Sequence, residues 1–399
     1  MGISRDQLYR FPWSKTDNPG GWIEVTDSCN ITCRGCYRSQ MEGHRPFDSV
    51  KKDILDTIHF TNCDCITIAG GEPLIYPQLI ETIAFIASLK IKPIVFSNGV
   101  NLTSELLIDL KKAGLAKIHL HVDCMQEREG WNGKNESELN ALRQYYANMI
   151  YETGKIQCGL HVTVYRENLH DIPQVLSWAL TNLNKVQHLS FIAYRTIPIN
   201  GTLSYFAGGR RIPDDQLQNR PIDSQDISIT TEEMYEVLIK EFPFLHPCAY
   251  LNGTSSYETN KFLIMVNFGT RKHLFGSLGR KTMELAQMLY HLVNKKYFAF
   301  LGNPKAGLKL FLLSVFDPQI RKAFRHFLLL AMRNPVFLFD PVYVQSIHLQ
   351  QPNEILDGKI NLCDDCVNMM AYKGQLINSC RLDEYRKFGE ALQVVNLSK

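Results

Sequence analysis

The sequence predicts an α/β fold, a partial (β/α)6 barrel followed by a mainly helical C-terminal domain. Apolar, strand-like runs alternate with helical patterns through the first half of the chain. The strands read as continuous apolar runs, which is typical of a parallel sheet buried on both faces. About six such units fit into roughly 190 residues, fewer than the about 250 residues of a complete eight-unit barrel. An incomplete barrel of six strands is therefore predicted.

The units follow one another in a regular order. Strands are predicted at 21–27, 65–71, 92–99, 117–123, 157–165 and 186–195. Helices are predicted between them at 49–60, 78–90, 104–114, 136–154 and 171–183, the third closed by Gly114. We expect the barrel to occupy 1–207 and a polar, Gly- and Pro-containing linker to occupy 208–227. A C-terminal domain over 228–399, helical around 231–241 and 279–334, would follow.

Length and composition fit a protein with a normal core. The chain has 399 residues, is 45% hydrophobic and carries a net charge of +3, which says little about partners. The first residues contain no apolar segment of a secretory signal, and no run approaches the roughly 18 apolar residues of a membrane span. A cytoplasmic location is therefore expected. In that compartment the eleven cysteines are more often metal ligands, catalytic groups or core residues than disulfides.

Three cysteines lie together just after the first predicted strand. In "DSCNITCRGC" they are Cys29, Cys33 and Cys36. A closed zinc site needs four ligands and disulfides need pairs, whereas three thiolates suit a metal centre with one open position. The alternatives are a zinc site completed by a distant cysteine, and three core cysteines.

A second signal ends the second strand. The stretch "AGGEP" contains two glycines that allow a ligand to approach the backbone, and Glu72 offers a carboxylate for an ammonium group. A simple turn is the alternative.

Together the two motifs resemble the radical S-adenosylmethionine (radical SAM) superfamily, in the Cys-x3-Cys-x2-Cys loop and in Gly70, Gly71, Glu72 and Pro73. The resemblance implies that the three cysteines hold a [4Fe–4S] cluster whose open iron is chelated by SAM. Glu72 and the glycine backbone would hold the amino group of SAM. Electron transfer from the cluster would release a 5′-deoxyadenosyl radical that abstracts hydrogen from a substrate. Gly35 stands where the superfamily often has a bulky apolar residue, so the adenine contact is assigned to Tyr37.

Residues at further strand ends complete this predicted site. Ser97 and Asn98 would bond the ribose or the methionyl carboxylate, and Asp123 the ribose hydroxyls. Strand alternation places His121 on the interior face with Asp123, so we expect it to face substrate, with a satisfied core histidine as the alternative. The substrate pocket would also be lined by Tyr165, Tyr194 and Arg195, the last suited to an anionic group. Ordinary rim residues are the alternative for these three.

A second metal centre is predicted from four later cysteines, Cys248, Cys363, Cys366 and Cys380. Four thiolates ligate a second [4Fe–4S] cluster or a structural zinc, and the absence of any metal is a third alternative. The resemblance favours the cluster, because many superfamily members carry auxiliary clusters. Of the remaining cysteines, Cys65, Cys124 and Cys158 are predicted core residues, and Cys63 with Cys65 makes no recognisable site.

The segment 271–333 is strongly basic. It contains twelve Lys and Arg against two acids, a local balance of +10. In its stretch "QIRKAFRHFLLLAM" (319–332), Arg321, Lys322 and Arg325 would lie on one side of a helix, and apolar residues recur at three- and four-residue spacing. This pattern predicts contact with a membrane surface or an anionic ligand, the alternative being a helix packed on the barrel. No nucleic-acid motif is recognisable, so no nucleic-acid partner is expected.

The stretches 121–143 and 380–389 resemble a narrower radical SAM subgroup, that of the archaeal pterin methyltransferases and tetraether-lipid synthases. This resemblance implies carbon–carbon bond formation or alkyl transfer on a lipid-like substrate, with a reductant such as flavodoxin or ferredoxin. The first alternative is a radical methyltransferase acting on a pterin-like heterocycle. The second is a non-catalytic iron–sulfur or zinc module, or an electron carrier.

Overall fold

The computed structural model describes residues 4–39, 42–194, 203–217, 229–356, 359–363 and 366–396, without the side chain of residue 337. Arg195 lies outside these ranges, as does the second half of the predicted linker, 218–227.

Six parallel strands form the barrel sheet and lie side by side in chain order. They are β1 (Gly20–Thr26), β2 (Cys65–Gly70), β3 (Lys92–Ser97), β4 (Lys117–His121), β5 (Gln157–Val164) and β6 (His188–Ala193). Each pairs in parallel with its neighbour, and nearly all of their residues are buried or half-buried. The predicted parallel sheet is confirmed, with strand ends that differ by only a few residues.

Five helices connect these strands and cover the sheet. They are α1 (Phe47–Thr61), α2 (Leu79–Ser88), α3 (Ser104–Ala113), α4 (Asn140–Thr153) and α5 (Ile172–Thr181). Their apolar faces join the strands in one core, as the complete burial of Ile54, Ile83 and Leu107 shows. Helix α3 ends at Gly114, which takes the left-handed conformation (φ +101°) that favours glycine.

Helix α4 begins at Asn140 and not at 136 as predicted, because the side chain of Glu136 is bound within the loop before the helix. The Glu136 carboxylate forms a fully buried ion pair with Arg143. It also accepts hydrogen bonds from the backbone N–H of Cys124 and the Nδ2 of Asn168, both at 2.9 Å. This segment therefore anchors the end of β4 before the helix starts.

The sheet continues beyond the barrel strands at both edges and has thirteen strands among the described residues. Next to β6 lie β8 (Tyr343–Gln350), in parallel, then β7 (Asn260–Gly269), and then Pro247–Asn252 and Tyr9–Arg10. Next to β1 lie Met369–Tyr372 and Gln375–Asn378. The described sheet has two ends, so the barrel is open. The C-terminal half thus contributes strands as well as helices, which its sequence pattern did not predict.

The principal C-terminal helices are α6 (Thr231–Glu241), α7 (Arg280–Asn294), α8 (Pro318–Arg333) and α9 (Leu382–Phe388). Helix α6 has its predicted ends, and Thr230 and Glu233 form a capping box at its start. A small antiparallel sheet joins Leu203–Ala207 to Arg210–Ile212 and to Gln393–Asn396 near the end of the chain. The first part of the predicted linker is therefore structured. None of the described helices combines the length and apolar content that crossing a bilayer requires.

Candidate active site

The loop that carries the first three cysteines leaves the carboxyl end of β1. Its residues Thr32 and Cys33 pair in antiparallel register with Gln126 and Glu127, which follow β4. The backbone N–H of Arg34 donates to the carbonyl of Met125 at 3.0 Å. The loop is therefore fixed across the mouth of the barrel, with Cys29 and Cys33 half-buried and Cys36 exposed.

The three loop thiols lie close enough to act on one another. Burial raises the pKa of Cys33, and the charges of Asp123, Cys36 and Cys29 raise it further. Burial also raises the pKa of Cys29. Three thiols on one short loop, the middle one acted on by both others, are the donor set that a [4Fe–4S] cluster with one open iron needs.

Gly70 and Gly71 bring the backbone at the end of β2 against the cysteine loop. The N–H of Gly71 donates to the carbonyl of Thr26 at 2.8 Å, and that of Glu72 to the carbonyl of Ser28 at 2.9 Å. A Cβ on Gly71 would lie 2.1 Å from the Ser28 carbonyl oxygen. The close approach that we expected of a ligand is made here by the loop's own backbone.

The Glu72 side chain is fully buried and ties the ends of β2 and β3 together. It accepts hydrogen bonds from the Ser97 hydroxyl and the N–H of Asn98, both at 2.7 Å, and from the N–H of Leu74 at 2.9 Å. Burial raises the pKa of Glu72, although these three bonds oppose the rise. Pro73 starts the short 3-10 helix Pro73–Ile75 that follows. Contacts of Glu72 and Ser97 with SAM stay predictions.

Asn98 connects the end of β3 to the cysteine loop. Its Nδ2 donates to Oδ1 of Asn30 at 2.7 Å and lies 3.9 Å from Sγ of Cys29. Its Oδ1 accepts from the N–H of Val100 at 2.9 Å. Asn98 therefore holds the first cysteine of the loop, a contact that sequence analysis did not predict.

The departure at Gly35 has a steric reason in this structure. A Cβ on Gly35 would lie 2.4 Å from Oη of Tyr165, so the tyrosine occupies the space that a larger side chain would need. The ring centroids of Tyr165 and Tyr194 are 5.0 Å apart, and the Arg34 guanidinium lies 5.2 Å from the Tyr165 ring. Tyr37 donates its hydroxyl to Glu24 at 3.3 Å.

A cavity of about 210 Å³ opens next to the loop. The loop contributes Gly35 and Tyr37, the barrel strands contribute Phe96, His119, His121, His161 and Thr163, and Tyr194 follows the end of β6. The C-terminal half contributes Gln350, Pro352, Asn368, Ser379 and Cys380. Residues that the sequence assigned to the SAM site, the substrate pocket and the second metal centre therefore line one cavity.

Asp123 and His121 form a pair at the end of β4. The Asp123 carboxylate lies 2.9 Å from Nε2 of His121 and accepts the N–H of Met125 at 2.9 Å. Burial favours a higher pKa for Asp123, but the hydrogen bond and charge of His121 outweigh it and lower the pKa. Nε2 of His121 is also 2.8 Å from the Thr163 hydroxyl. Asp123 itself is buried, so His121 is the member of the pair that lines the cavity.

Three of the four later cysteines come together. The Cys363 thiol donates to Cys366, which raises the pKa of Cys363 and lowers that of Cys366, and the charge of Cys380 also acts on Cys363. The N–H of Asn368 donates to Sγ of Cys366 at 3.4 Å. Cys380 lies on the 3-10 helix Ser379–Arg381. We call Cys363, Cys366 and Cys380 the C-terminal thiol group.

Cys248 lies elsewhere, in a second apolar core. It is fully buried near the start of the strand Pro247–Asn252, and its thiol donates to the carbonyl of Ile264 at 3.4 Å. Burial raises the pKa of Cys248 to about 12, with a further contribution from Asp317. Gly253, just past the other end of this strand, forms the bridge to Cys363. At about 3.3 Å per residue the strand separates Cys248 from the C-terminal thiol group.

A buried ionic network beside the loop was missed by sequence analysis. The Arg38 guanidinium lies 2.8 Å from Glu24, 2.7 Å from Asp27 and 3.0 Å from Asp383 of α9. Burial raises the pKa of Glu24, while Arg38 opposes the rise. The network ties the cysteine loop to the C-terminal helix. An acid inside the apolar strand "GWIEVT" was the one signal for it.

Comparisons with known proteins bear on the first half of the chain. A family model described as the radical SAM superfamily matches residues 23–179. A tungsten-containing aldehyde ferredoxin oxidoreductase cofactor-modifying protein of Pyrococcus furiosus is 23% identical over 170 residues, 40% of this chain and 47% of that protein. The Fe-coproporphyrin III synthase of Methanosarcina barkeri is 25% identical over 186 residues, 45% of each chain. The matches thus span about half the length of these relatives.

A GTP 3′,8-cyclase of Cyanothece sp. is 25% identical over 222 residues, 50% of this chain and 62% of that protein. Among solved structures, anSMEcpe with bound AdoMet and Cp18Cys peptide overlaps with a TM-score of 0.39 and 13% identity, covering 56% of this chain and 58% of that chain. Streptococcus suis SuiB bound to S-adenosylmethionine overlaps with a TM-score of 0.36 and 16% identity, covering 46% and 42%. These structural overlaps are partial, with TM-scores below 0.5, and they carry no argument about the family of this chain.

Residues 23–179 therefore match the radical SAM superfamily. The cofactors of this family are a [4Fe–4S] cluster and S-adenosylmethionine, and the three loop thiols fit the cluster. The comparisons reach the superfamily and give no support to the narrower subgroup of pterin methyltransferases and tetraether-lipid synthases.

Proposed function

We propose that this chain is an enzyme that cleaves SAM reductively and removes hydrogen from an unactivated carbon of a bound substrate. One cavity carries the proposal, because it joins the cysteine loop to His121, Tyr194 and Cys380. When bound, the cluster and SAM supply the 5′-deoxyadenosyl radical. The substrate would lie in this cavity, between the loop and the C-terminal thiol group.

The chain's own residues would hold and shield these groups. Cys29, Cys33 and Cys36 would bind the cluster as thiolates, and because burial raises the pKa of two of them, assembly would release protons. Glu72 would position the end of β3, and through it Asn98, against the loop. Tyr37 and Phe96 would exclude water from the reacting carbon, which protects a radical from side reactions.

We propose a second [4Fe–4S] cluster at the C-terminal thiol group, with zinc as the alternative. Three thiols that interact with one another support it, and one of them lines the substrate cavity. With Cys248 in the second core, a cluster here would have three cysteine ligands and one position for another ligand.

We propose a lipid-like substrate, with carbon–carbon bond formation or alkyl transfer as the outcome, because the C-terminal half exposes an unusual apolar surface. Helices α7 and α8 and the turns beside them expose Leu292 (66%), Val293 (77%), Leu312 (78%), Val315 (72%), Met332 (72%) and Phe339 (86%). The same segment carries the excess of Lys and Arg noted above. Large exposed apolar areas mark contact sites, and basic residues around them favour an anionic membrane surface. We call this the apolar basic surface.

Anionic liposomes test the membrane contact. We expect the protein to co-sediment with vesicles that contain phosphatidylserine and to be released when Arg321, Lys322 and Arg325 are changed to Glu. A variant in which Lys52, Lys112 and Lys134 of the barrel are changed to Glu is the matched control. It has the same change in net charge, and these lysines lie outside the apolar basic surface. Failure of the unaltered protein to bind vesicles would remove the support for a lipid substrate.

A pterin-like heterocycle is the second candidate substrate. The cavity is lined by Trp22, Tyr37, Phe96 and three histidines, side chains that stack on flat rings. The GTP 3′,8-cyclase among the relatives is named for a heterocyclic substrate. A radical methyltransferase would then be the enzyme, with flavodoxin or ferredoxin as reductant in either case.

SAM cleavage tests the enzymatic proposal and separates it from the third alternative, an electron carrier or metal-stabilised module. Anaerobically reconstituted protein is incubated with SAM and dithionite, and 5′-deoxyadenosine is measured. We expect its formation by the unaltered protein and by Cys158→Ala, a buried core cysteine, and none by Cys33→Ala. An iron-loaded protein that forms no 5′-deoxyadenosine would be a carrier instead.

A further inference from the structure

Four histidines meet inside the barrel on adjacent strands. His119 comes from β4, His161 from β5 and His188 from β6, and one ring nitrogen of each lies within 4.8 Å of those of the others. His348 of β8 follows, with its ring centroid 4.4 Å from that of His188. The parallel register sets this arrangement, because Gly159 of β5 pairs with both His119 and His188.

The surrounding residues hold these rings in place. Gly159 leaves room for the His119 ring, since a Cβ there would lie 3.1 Å from Nδ1 of His119. The Phe96 ring packs edge-on against His161 with centroids 4.8 Å apart. The Ser346 hydroxyl lies 2.8 Å from Nδ1 of His188 and fixes that ring. A hydrogen bond to the outer nitrogen is the usual support of a metal-binding histidine.

The ring nitrogens are poorly satisfied by one another. A neutral imidazole has one donor and one acceptor, and both need partners in an apolar interior. Nδ1 of His119 faces Nε2 of His161, but Nδ1 of His161 is buried without a hydrogen-bond partner among the described residues. His161 is only 9% exposed. Asp123, the nearby carboxylate, is engaged with His121 instead. Leaving a buried polar nitrogen unpaired costs about 1–3 kcal/mol. A further partner for these ring nitrogens would therefore stabilise the cluster.

We propose that this cluster is a metal site for one divalent first-row transition ion, bound by His119, His161 and His188. Imidazole nitrogens suit zinc, iron, nickel and copper. His348 lies where it could act as a fourth ligand or pack against the ring of His188. We call these residues the histidine site. It is separate from both cysteine groups and does not depend on the proposed radical chemistry.

The position of the histidine site suggests what the metal would do. His119 and His161 also line the cavity next to the cysteine loop, whereas His348 lines a different, mainly apolar cavity with Lys117 and Ser346. Three protein ligands with one coordination position open to a pocket are the arrangement of catalytic zinc sites. The ion would therefore offer a coordination position to an oxygen or nitrogen atom of the substrate.

Zinc binding to the iron-loaded protein tests the histidine site. With the cysteine groups occupied by iron, the protein is passed over a chelating resin and titrated with zinc against a chromophoric chelator. We expect one zinc per chain. Its X-ray absorption spectrum should show three or four nitrogen neighbours at about 2.0–2.1 Å and no sulfur at about 2.3 Å. Zinc that has sulfur neighbours and no nitrogen neighbours, or no zinc retained, would overturn the proposal, and this readout needs no variant.

A matched pair of variants adds a second readout. His161→Asn should weaken zinc binding by at least about tenfold, since even supporting residues cost about 10–100-fold. His121→Asn should leave it unchanged, because His121 lines the same cavity but bonds Asp123 and Thr163. Equal zinc affinity in the two variants would contradict the assignment. If His161→Asn fails to fold, the absorption spectrum of the unaltered protein decides alone.

Discussion

The two cysteine groups next to the cavity are built in different ways. The first lies on one short loop that is fixed by backbone hydrogen bonds to the ends of β2 and β4. The C-terminal thiol group joins Cys363 and Cys366 to Cys380 across the pair of strands at 369–378. The loop group therefore depends on local backbone geometry, and the C-terminal group on the folding of the whole C-terminal half.

The largest effect is expected where the loop backbone is closest. Gly71→Ala would place a Cβ 2.1 Å from the Ser28 carbonyl oxygen, so the loop must move although all its cysteines remain. We expect 5′-deoxyadenosine formation to fall at least about a hundredfold, since a displacement of about 1 Å can cost that much. Assays of SAM cleavage and iron content check this.

Gly302→Ala is the control for Gly71→Ala. Nothing lies within 4 Å of a Cβ at Gly302, so its activity should match that of the unaltered protein. A fully active Gly71→Ala would show that the cysteine loop tolerates movement. The loop cysteines would then depend no more on local backbone geometry than the C-terminal thiol group does.

The second prediction separates the C-terminal thiol group from Cys248. Cys366→Ser should lower iron from about eight to about four per chain, because one of two [4Fe–4S] clusters is lost. Cys248→Ala should keep about eight irons and lose only stability, since Cys248 packs in an apolar core. Iron analysis of both reconstituted variants checks this. Loss of four irons in Cys248→Ala would instead make Cys248 the fourth ligand, as the sequence suggested.

The third prediction concerns the contact that joins the two regions. Asp383→Asn removes one carboxylate from the buried Arg38 and weakens the tie between α9 and the cysteine loop. We expect the free energy of unfolding to fall by about 1–3 kcal/mol, the cost of disturbing a buried charged hydrogen bond. Denaturant unfolding under anaerobic conditions measures it.

Asp109→Asn serves as the control, because Asp109 pairs with Lys112 in solvent, where such pairs contribute at most about 1 kcal/mol. Equal stability losses in Asp383→Asn and Asp109→Asn would mean that the network does not connect the regions.

The most gradual effect, small at any one pH step, is a pH dependence of the same network. The folded-state pKa of Glu24 is raised, so folding favours its protonated form, and its contribution to stability is lost as pH rises above the ordinary value of 4.5. Glu24→Gln should remove this contribution. Its stability relative to the unaltered protein should therefore increase with pH, by at most about 1.4 kcal/mol per pH unit. The free energy of unfolding of both proteins is measured from pH 5 to 8. A difference between them that does not change with pH would contradict this.

Sequence reasoning recovered what is local and missed what the topology brings together. The loop motif, the glycines after β2 and the six parallel strands were predictable, since spacing and apolar pattern encode them directly. The strands of the C-terminal half were not, because β7 is buried along its whole length and lacks the alternation that marks a strand. The grouping of Cys363 and Cys366 with Cys380, apart from Cys248, depends on strand pairing over long distances.

The histidine site is a similar case. Each of its members lies in a mainly apolar strand, and in three of these four strands it is the single histidine. A single buried histidine is ordinary. The repetition of that pattern in four strands, at His119, His161, His188 and His348, was the available signal. Their neighbouring positions became visible only from the register.

The most direct test of a catalytic loop cluster beside a second cluster is electron paramagnetic resonance of the reduced protein with and without SAM. SAM should shift the signal of one cluster and leave the other unchanged. In Cys366→Ser the shifted signal should remain, and in Cys33→Ala it should be absent. A reduced iron–sulfur signal that SAM leaves unchanged, or zinc in place of iron at the loop, would contradict this account.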